Sequence, residues 1–301
     1  MKKALVLYML AVFLFVVTIL TSNASVLYAD EQQNQPANSD STSLNWAGYV
    51  ADTGSYTSVT GSWVVPLVSD SRPGADATWV GIGGVQTRDL IQAGTQAIVG
   101  NRGDITYQAW YEVLPDVSTP IDLAISPGNS ITTTLSETQP DLWRIQIRNN
   151  TTGHTFKKTV SYQSTKNSVE WVEERVSLSN GWLYPLDQFG SVHFTRGSAT
   201  QDGKNKSIRD LHAYPLTMAN MDGTVLASIV PINTSNEFSV TEVQPPPTAR
   251  NTRVSSIATN ISQEDAVGPP IYLITYSQDG NYTIESYSFP SLFNISTLWN
   301  Q

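Results

Sequence analysis

The sequence has no cysteine, only three histidines and few charged residues. Charged side chains make up 14% of its 301 residues, against about 25% in ordinary globular proteins. Without cysteine there is no disulfide, no thiol nucleophile and no cysteine-based metal site. The folded chain must therefore be stabilised by its hydrophobic core, and it is long enough to form a sizeable one.

Basic residues are also scarce. Lys and Arg number 17 against 26 Asp and Glu, which gives a formal net charge of -9 and a pI of about 4.7. No basic patch is present to neutralise phosphates, so nucleic acid is excluded as an expected partner. Few positive charges remain to repel one another in acid, when the carboxylates are neutral. The composition therefore suits an acidic exterior.

The common hydrolase motifs are missing. The chain has no G-x-S-x-G elbow and no H-E-x-x-H helix motif. His154, His193 and His212 do not stand in a recognisable triad context. No spacing of ligands supports a metal site. We therefore expect neither a cofactor nor a metal.

The N-terminus predicts export. Met1-Lys2-Lys3 precedes an apolar run from Ala4 to Leu20, and small residues follow. This order is typical of a secretory signal peptide, which we assign to 1–24, and it predicts a secreted protein. The run is close to the ~18–20 apolar residues that span a bilayer, so an uncleaved membrane anchor is the alternative. Residues 25–43 are polar and predicted to be disordered.

Short runs rich in Val, Ile, Thr, Tyr and Trp, separated by turn residues, fill 44–243. Their spacing predicts an all-β sandwich or barrel. Pro245-Pro246-Pro247 interrupts this pattern, since proline cannot join a central strand. We assign 244–301 to a Pro-rich linker and a C-terminal β extension, with a hairpin signal at Asp279-Gly280. We expect a monomer with no obligate partner.

Strand alternation places several polar side chains together. Side chains two residues apart share a face, so Trp110 and Glu112 share one. Glu170 and Gln92 each oppose apolar neighbours on their own strands. If the apolar residues fill the core, all four side chains line the outer face of one sheet, which its curvature would make an open groove.

The tetrapeptide Asp52-Thr53-Gly54-Ser55 resembles the catalytic loop of pepsin-type aspartic peptidases. Such enzymes need two of these loops, because two carboxyls share one proton, and the chain has no second copy. Asp, Gly and Ser also favour tight turns. We interpret this segment as a hairpin turn, and expect activity to be retained when Asp52 is replaced by Asn.

Six short motifs occur in order between Leu44 and Val243 and resemble those of the glutamic peptidases (eqolisins). The family segments read NWAG, WVGI, LQTG, AWYE, AEW and FGSV. The corresponding segments here are Asn45–Gly48, Trp79–Ile82, Ile91–Gly94, Ala109–Glu112, Val169–Trp171 and Phe189–Val192.

The resemblance implies a lectin-like sandwich of two curved antiparallel sheets with a catalytic pair on the concave face. That pair falls on Gln92 and Glu170. The implied activity is metal-independent, pepstatin-insensitive hydrolysis of polypeptides in acid. Trp46 and Trp110 match family aromatics that would pack substrate side chains. Glu112 matches a motif position of the family and is expected with them among the substrate-binding residues, where it could raise the pKa of Glu170 by like-charge repulsion; a surface carboxylate is the alternative.

The sequence departs from the family at two places. The family often has acidic residues after WVGI and after the catalytic glutamine, where this chain has Gly83-Gly84 and Gln96. Two other functions stay open. Glu112 and Glu170 could be the carboxylate pair of a glycosidase or sugar-binding sandwich, and the chain could be a binding module that has lost catalysis.

Overall fold

A computed structural model describes residues 41–69, 71–177, 183–231 and 236–243, together with the backbone of two later strands at 270–276 and 282–288. The predicted signal segment at 1–24 and the turn signal at Asp279-Gly280 lie outside the described residues. Within the described ranges the chain forms strands and no helix, so no helix there could cross a membrane.

The strands before the linker are, in order, β1 (Ser41–Ser43), β2 (Trp46–Ala51), β3 (Tyr56–Val64), β4 (Gly74–Gly83), β5 (Leu90–Val99), β6 (Ile105–Val113), β7 (Thr119–Pro120), β8 (Ser130–Gln139), β9 (Leu142–Asn149), β10 (Thr155–Ser161), β11 (Val169–Arg175), β12 (Ser191–Gln201), β13 (Lys204–Ser207), β14 (Tyr214–Ala219), β15 (Val225–Pro231) and β16 (Phe238–Glu242). Two more follow it, β17 (Pro270–Tyr276) and β18 (Tyr282–Ser288).

Antiparallel pairing arranges these strands in two sheets. The first sheet has the order β7, β6, β5, β4, β11, β2, β14. The second has the order β16, β12, β3, β8, β9, β10. β15 pairs with both β14 and β16 and so joins the sheets at one edge. The predicted all-β sandwich is confirmed.

The core lies between the two sheets because both supply apolar side chains at alternate positions. The first sheet contributes Ala47, Val80, Ile82, Ile91, Ala93 and Trp171, among others. The second contributes Val59, Trp63, Leu135, Ile145, Phe194 and Val240, among others. The intervening residues of the first sheet therefore point away from the core, and this outer face carries the candidate site.

The C-terminal β extension is present as predicted. β17 pairs with β18, and β17 also pairs with β1. The end of the predicted disordered stretch is corrected, because Ser41–Ser43 form β1 and pair in parallel with β14. Ser43 is buried, and its hydroxyl accepts hydrogen bonds from the backbone N–H groups of Asn45 and Trp46. Ser41–Ser43 therefore belong to the folded part of the chain.

The Asp52–Ser55 segment is a turn but does not form a hairpin. β2 pairs with β11 and β14, whereas β3 pairs with β8 and β12. The turn therefore carries the chain from one sheet to the other. The Ser55 N–H donates to Asp202, which helps to hold the turn against the second sheet.

Three buried acids lie close together on the core side of β4 and β11. Asp76, Glu173 and Asp187 are at most 1% exposed. Burial is the main cause that raises their pKa values, that of Asp76 to about 6, and their mutual charge acts in the same direction for Glu173 and Asp187. No group of such residues within the described ranges has a geometry that could hold a metal ion. Folding is thus most favourable when these carboxyls are protonated.

This cluster predicts a protein that is more stable in acid. A carboxyl whose pKa is raised by folding contributes its full stability below its ordinary pKa of about 4, and that stability is lost as the pH rises toward the folded value. The loss is about 1.4 kcal/mol for each unit by which the pKa is raised. The free energy of unfolding, measured by urea titration, should fall steadily above about pH 4.

Glu173→Gln should make the free energy of unfolding fall less steeply with rising pH, because a neutral amide replaces a carboxyl that must otherwise ionise in the core. The matched control is Glu237→Gln, at a partly exposed position, which should leave the slope close to that of the unchanged protein. An unfolding free energy that rises between about pH 4 and pH 7 in the unchanged protein would contradict this reading.

Candidate active site

One row of paired residues crosses the first sheet and holds the predicted pair. Val50 pairs with Glu170, Glu170 with Gly81, Gly81 with Gln92, and Gln92 with Glu112. Paired residues of neighbouring strands point to the same face. The structure therefore brings Gln92, Glu112 and Glu170 together on the outer face, as alternation predicts.

Gly81 separates the two members of the pair. Two strand spacings put the backbones of Glu170 and Gln92 about 10 Å apart. A Cβ atom on Gly81 would lie 3.2 Å from Oε2 of Glu170 and 2.8 Å from Cζ3 of Trp79. Cδ1 of Leu90 would lie 3.0 Å from the same Cβ atom. The gap that Gly81 leaves between the carboxyl and the amide is therefore lined closely by Trp79 and Leu90, and a water and a peptide carbonyl group would meet both partners there only after these side chains move.

Glu112 fixes the orientation of Gln92. Nε2 of Gln92 donates a hydrogen bond to Oε2 of Glu112 at 2.5 Å. Oε1 of Gln92 and Oε1 of Glu112 are buried and have no hydrogen-bond partner in the structure. The second Nε2 hydrogen and Oε1 of Gln92 are available to a ligand, so this amide can donate and accept at once.

The carboxyl of Glu170 is fully buried, and neither of its oxygens has a hydrogen-bond partner in the structure. Burial is the largest cause that raises its pKa well above the usual value. The nearby Ser168 side chain opposes this rise, and the negative charges of Asp89 and Asp52 add to it. The sequence assigned that like-charge effect to Glu112. This assignment is wrong, because burial also raises the pKa of Glu112, whose carboxyl is hydrogen-bonded to Gln92.

Two tryptophans are held by Glu174, which shares the outer face with Glu170. The indole Nε1 of Trp79 donates to Oε2 of Glu174 at 2.7 Å, and that of Trp46 donates to Oε1 at 3.2 Å. The two rings pack edge to face with centroids 4.9 Å apart. Burial raises the pKa of Glu174 to about 8. Trp79 therefore connects this carboxyl to the gap over Gly81.

The predicted open groove is not what the structure shows. Gln92 and Glu170 are 0% exposed, and Trp46 and Trp110 are at most 2% exposed. They lie within an apolar cluster that alternation alone did not reveal, here called the outer cluster. It consists of Trp46, Val50, Ala75, Ala77, Trp79, Leu90, Trp110, Leu114, Val172, Val176 and Leu216. A peptide could reach Gln92 and Glu170 only if the atoms that cover this face move. The substrate contacts of Trp46, Trp110 and Glu112 stay predictions.

Sequence reasoning missed Gly81, Trp79, Glu174 and Asp89. The first three could have been found by the same two-residue alternation. Trp79 and Gly81 are two residues apart on β4, and Glu174 lies four residues after Glu170 on β11, so the members of each pair share a face. Asp89 precedes β5 and had no such signal. Its position became visible only from the pairing of β4 with β5.

Known proteins share this arrangement of strands and motifs. The model of the Peptidase A4 family matches residues 44–242. The chain belongs to the peptidase A4 family. The resemblance to glutamic peptidases is thereby confirmed, and the family makes the chain a peptidase by class.

Two A4 relatives are similar over most of the matched region. Aspergillopepsin-2 of Aspergillus niger is 31% identical over 210 residues, which is 61% of this chain and 73% of the relative. Scytalidopepsin B of Scytalidium lignicola is 31% identical over 193 residues, 60% of this chain and 72% of the relative. A crystal structure of scytalido-glutamic peptidase with a transition state analog inhibitor is 25% identical and has a TM-score of 0.59, covering 67% of this chain and all of that one.

The gap over Gly81 gives a direct test of the site. In Gly81→Ala the added methyl would occupy the space between Glu170 and Gln92, so kcat/KM for a denatured protein substrate should fall by about 10²-fold. The measurement is proteolysis in acid, normalised to the folded fraction.

Gly61→Ala is the matched control for that variant. Its methyl would meet Cγ1 of Val80 at 2.7 Å and Cδ1 of Trp171 at 3.0 Å, an equally tight fit on the core side of the sandwich. We expect lower stability with little change in activity per folded molecule. Equal loss of activity in both glycine variants would show that crowding, rather than the gap, is responsible.

Proposed function

We propose that this A4 family member is an endopeptidase that works in acid, with Glu170 as the proton donor and acceptor and Gln92 as its neutral partner. The observation that supports this assignment best is the row in which Gly81 alone separates Glu170 from Gln92. Oε1 of Gln92 and both carboxyl oxygens of Glu170 are buried without a hydrogen-bond partner, so they are available to a water and a peptide carbonyl group.

The proton inventory of peptide hydrolysis fits this pair. A protonated Glu170 gives its proton to the carbonyl oxygen of the substrate while its second oxygen takes a proton from the attacking water. The remaining hydroxide adds to the carbonyl carbon and forms a tetrahedral diol. Glu170 then gives its proton to the leaving nitrogen and takes one back from a diol hydroxyl as the C–N bond breaks. The carboxyl ends as it began.

Gln92 supports those steps without titrating. Its Oε1 can accept a hydrogen bond from the attacking water and so orient it. Its second Nε2 hydrogen can donate to the carbonyl oxygen as negative charge develops there. Because Glu112 holds the first Nε2 hydrogen, the amide is already oriented before substrate binds.

Acid dependence follows from the protonation of Glu170. A raised pKa means that the carboxyl keeps its proton over a wider pH range than an exposed Glu, and activity is lost as the pH rises through that value. We further propose that the substrates are polypeptides outside the cell, reached after export by the segment at 1–24, and that the enzyme needs no metal and resists pepstatin.

The glycosidase alternative has no support in the geometry. Glu112 and Glu170 stand on strands three spacings apart, and Gly81 and Gln92 lie between them in the same row. Gln92 stands between the two carboxyls and binds one of them. A pair of carboxylates working on one sugar would leave this amide without a role.

Two substitutions test the proposed pair. Glu170→Gln removes the titrating group, and we expect proteolysis in acid with pepstatin present to fall by at least about 10²-fold. Gln92→Ala removes the amide, and we expect a loss of about 10²–10³-fold, mostly in kcat. The assay is cleavage of a denatured protein across the acidic range.

Gln96→Ala is the matched control, because Gln96 is a buried glutamine on the same face of β5 whose amide bonds to Gln108. It should keep most of the activity. Full activity of Glu170→Gln, or no pepstatin-resistant cleavage by the unchanged protein, would refute the proposed function. Retained cleavage of an oligosaccharide by Gln92→Ala would favour the glycosidase.

A further inference from the structure

A second carboxylate lies beside Glu170 and is held in place by hydroxyl and backbone donors. Oδ2 of Asp89 accepts hydrogen bonds from the Thr165 N–H at 2.7 Å and the Ser164 hydroxyl at 3.0 Å. The Thr165 hydroxyl also lies 3.0 Å from Oδ1 of Asp89. None of these donors is needed by the proposed reaction, so the function proposed above leaves Asp89 unexplained.

Glycines place Asp89 and Glu170 on the same face of β4. Gly81 and Gly83 are two residues apart on this strand and thus about 7 Å apart. A Cβ on Gly81 would lie 3.2 Å from Oε2 of Glu170, and a Cβ on Gly83 would lie 2.9 Å from Oδ2 of Asp89. The two carboxyls therefore stand over neighbouring positions of one face.

Gly83 is required for this approach. Its φ of +89° disfavours other residues, and a Cβ there would lie 2.5 Å from the backbone oxygen of Asp89. The Gly83 N–H donates to the backbone oxygen of Ser168, two residues before Glu170. The backbone at Gly83 is thus fixed between the segments that carry Asp89 and Glu170.

Of the two carboxyls, that of Asp89 is the one that carries a negative charge. Burial opposes its ionisation, but hydrogen bonds to its carboxylate outweigh burial and lower its pKa. Glu170 lacks a comparable set of donors, since only the Ser168 side chain favours its ionised form, and burial keeps its pKa raised. At an acidic pH between the two values, Asp89 is negative and Glu170 is neutral, and the negative charge opposes loss of the Glu170 proton.

Other titratable groups belong to the elements packed around this face. Asp52, which follows β2, acts on Glu170 by its charge. Glu112 shares the row of Glu170, Glu174 follows it on β11, and Tyr214 packs against the outer cluster. The Tyr162 hydroxyl accepts a hydrogen bond from the N–H of Leu90. Burial raises the pKa values of Glu112, Glu174 and Tyr162, which keeps them neutral in acid. The Asp52 carboxyl accepts hydrogen bonds from the Gln86 amide at 3.1 Å and the Tyr214 hydroxyl at 3.4 Å. Neither Asp52 nor Asp89 has a Lys or Arg ion-pair partner among the described residues.

We propose that the fixed negative charge of Asp89 keeps the Glu170 carboxyl protonated and thereby extends catalysis toward less acidic pH, with Asp52 adding a smaller effect. This inference rests on the proposed function. Asp89 is a positioning residue in this account, because it acts through the proton of Glu170 and contacts neither water nor substrate.

The test measures the Glu170 proton directly, without using activity. In the full chain labelled with ¹³C at glutamate carboxyls, the resonance that disappears in Glu170→Gln identifies Glu170. Asp89→Asn preserves shape and removes the charge, so the titration midpoint of Glu170 should fall by about one pH unit. Asp52→Asn should lower it less, and Asp89→Glu should restore most of it.

The same variants are then assayed for proteolysis across the pH range. The pH at which kcat/KM declines on the alkaline side should move down in Asp89→Asn by the shift that NMR reports. Asp122→Asn, which removes an exposed aspartate, should move neither quantity. Thermal unfolding of each variant gives the folded fraction for normalisation.

The outcomes separate this inference from the proposed function. One outcome is that Asp89→Asn folds and cleaves protein while the titration midpoint of Glu170, or the pH at which kcat/KM declines on the alkaline side, stays where it is in the unchanged protein. That result overturns the inference and leaves the peptidase function standing. If the unchanged protein shows no acid proteolysis, the proposed function fails and takes the catalytic part of the inference with it. If the titration midpoint of Glu170 and the alkaline-side decline of kcat/KM both move to lower pH by the same amount, the inference and the proposed function are both supported.

Discussion

The register of β11, β4 and β5 is the constraint on which the site depends. Glu170, Gly81 and Gln92 are directly paired, so they share a face and a row. A slip of one residue in either ladder would move one acid or amide to the core face. The buried apolar residues on both faces of β4 and β11 oppose such a slip, since it would bury polar groups in the core and move tryptophans into positions shaped for other side chains.

Alternation predicted the all-β sandwich and the common face of Gln92, Glu112 and Glu170 because it depends only on local geometry. The sequence could not show which strands pair, since β11 lies far along the chain from β2 and β4. The gap at Gly81 and the place of Asp89 follow from that long-range pairing. The same lack of pairing information led us to interpret Asp52–Ser55 as a hairpin when it crosses between sheets.

The open groove was a wrong expectation for a related reason. Two-residue alternation sorts side chains by face and says nothing about what covers a face. Here the outer face of the first sheet carries Trp46, Trp79 and Trp110 with smaller apolar residues, so both faces of its central strands are buried. A sheet buried on both faces lacks the simple apolar–polar alternation that marks a solvent-exposed side.

Burial of carboxyls couples catalysis and stability in this chain. Buried Glu170 on the outer face and the acids Asp76, Glu173 and Asp187 on the core face all have raised pKa values, with burial the largest cause. If Glu170 acts as proposed, rising pH removes the proton that the reaction uses, and it also charges buried carboxyls that stabilise the fold when they are neutral. Asp89 differs, because its hydrogen-bond donors favour the ionised form. The first sheet and the loop before β5 thus hold carboxyls in opposite states. In the proposed mechanism, this contrast between buried neutral acids and one fixed carboxylate is what would leave Glu170 its proton at a pH where exposed glutamates have lost theirs.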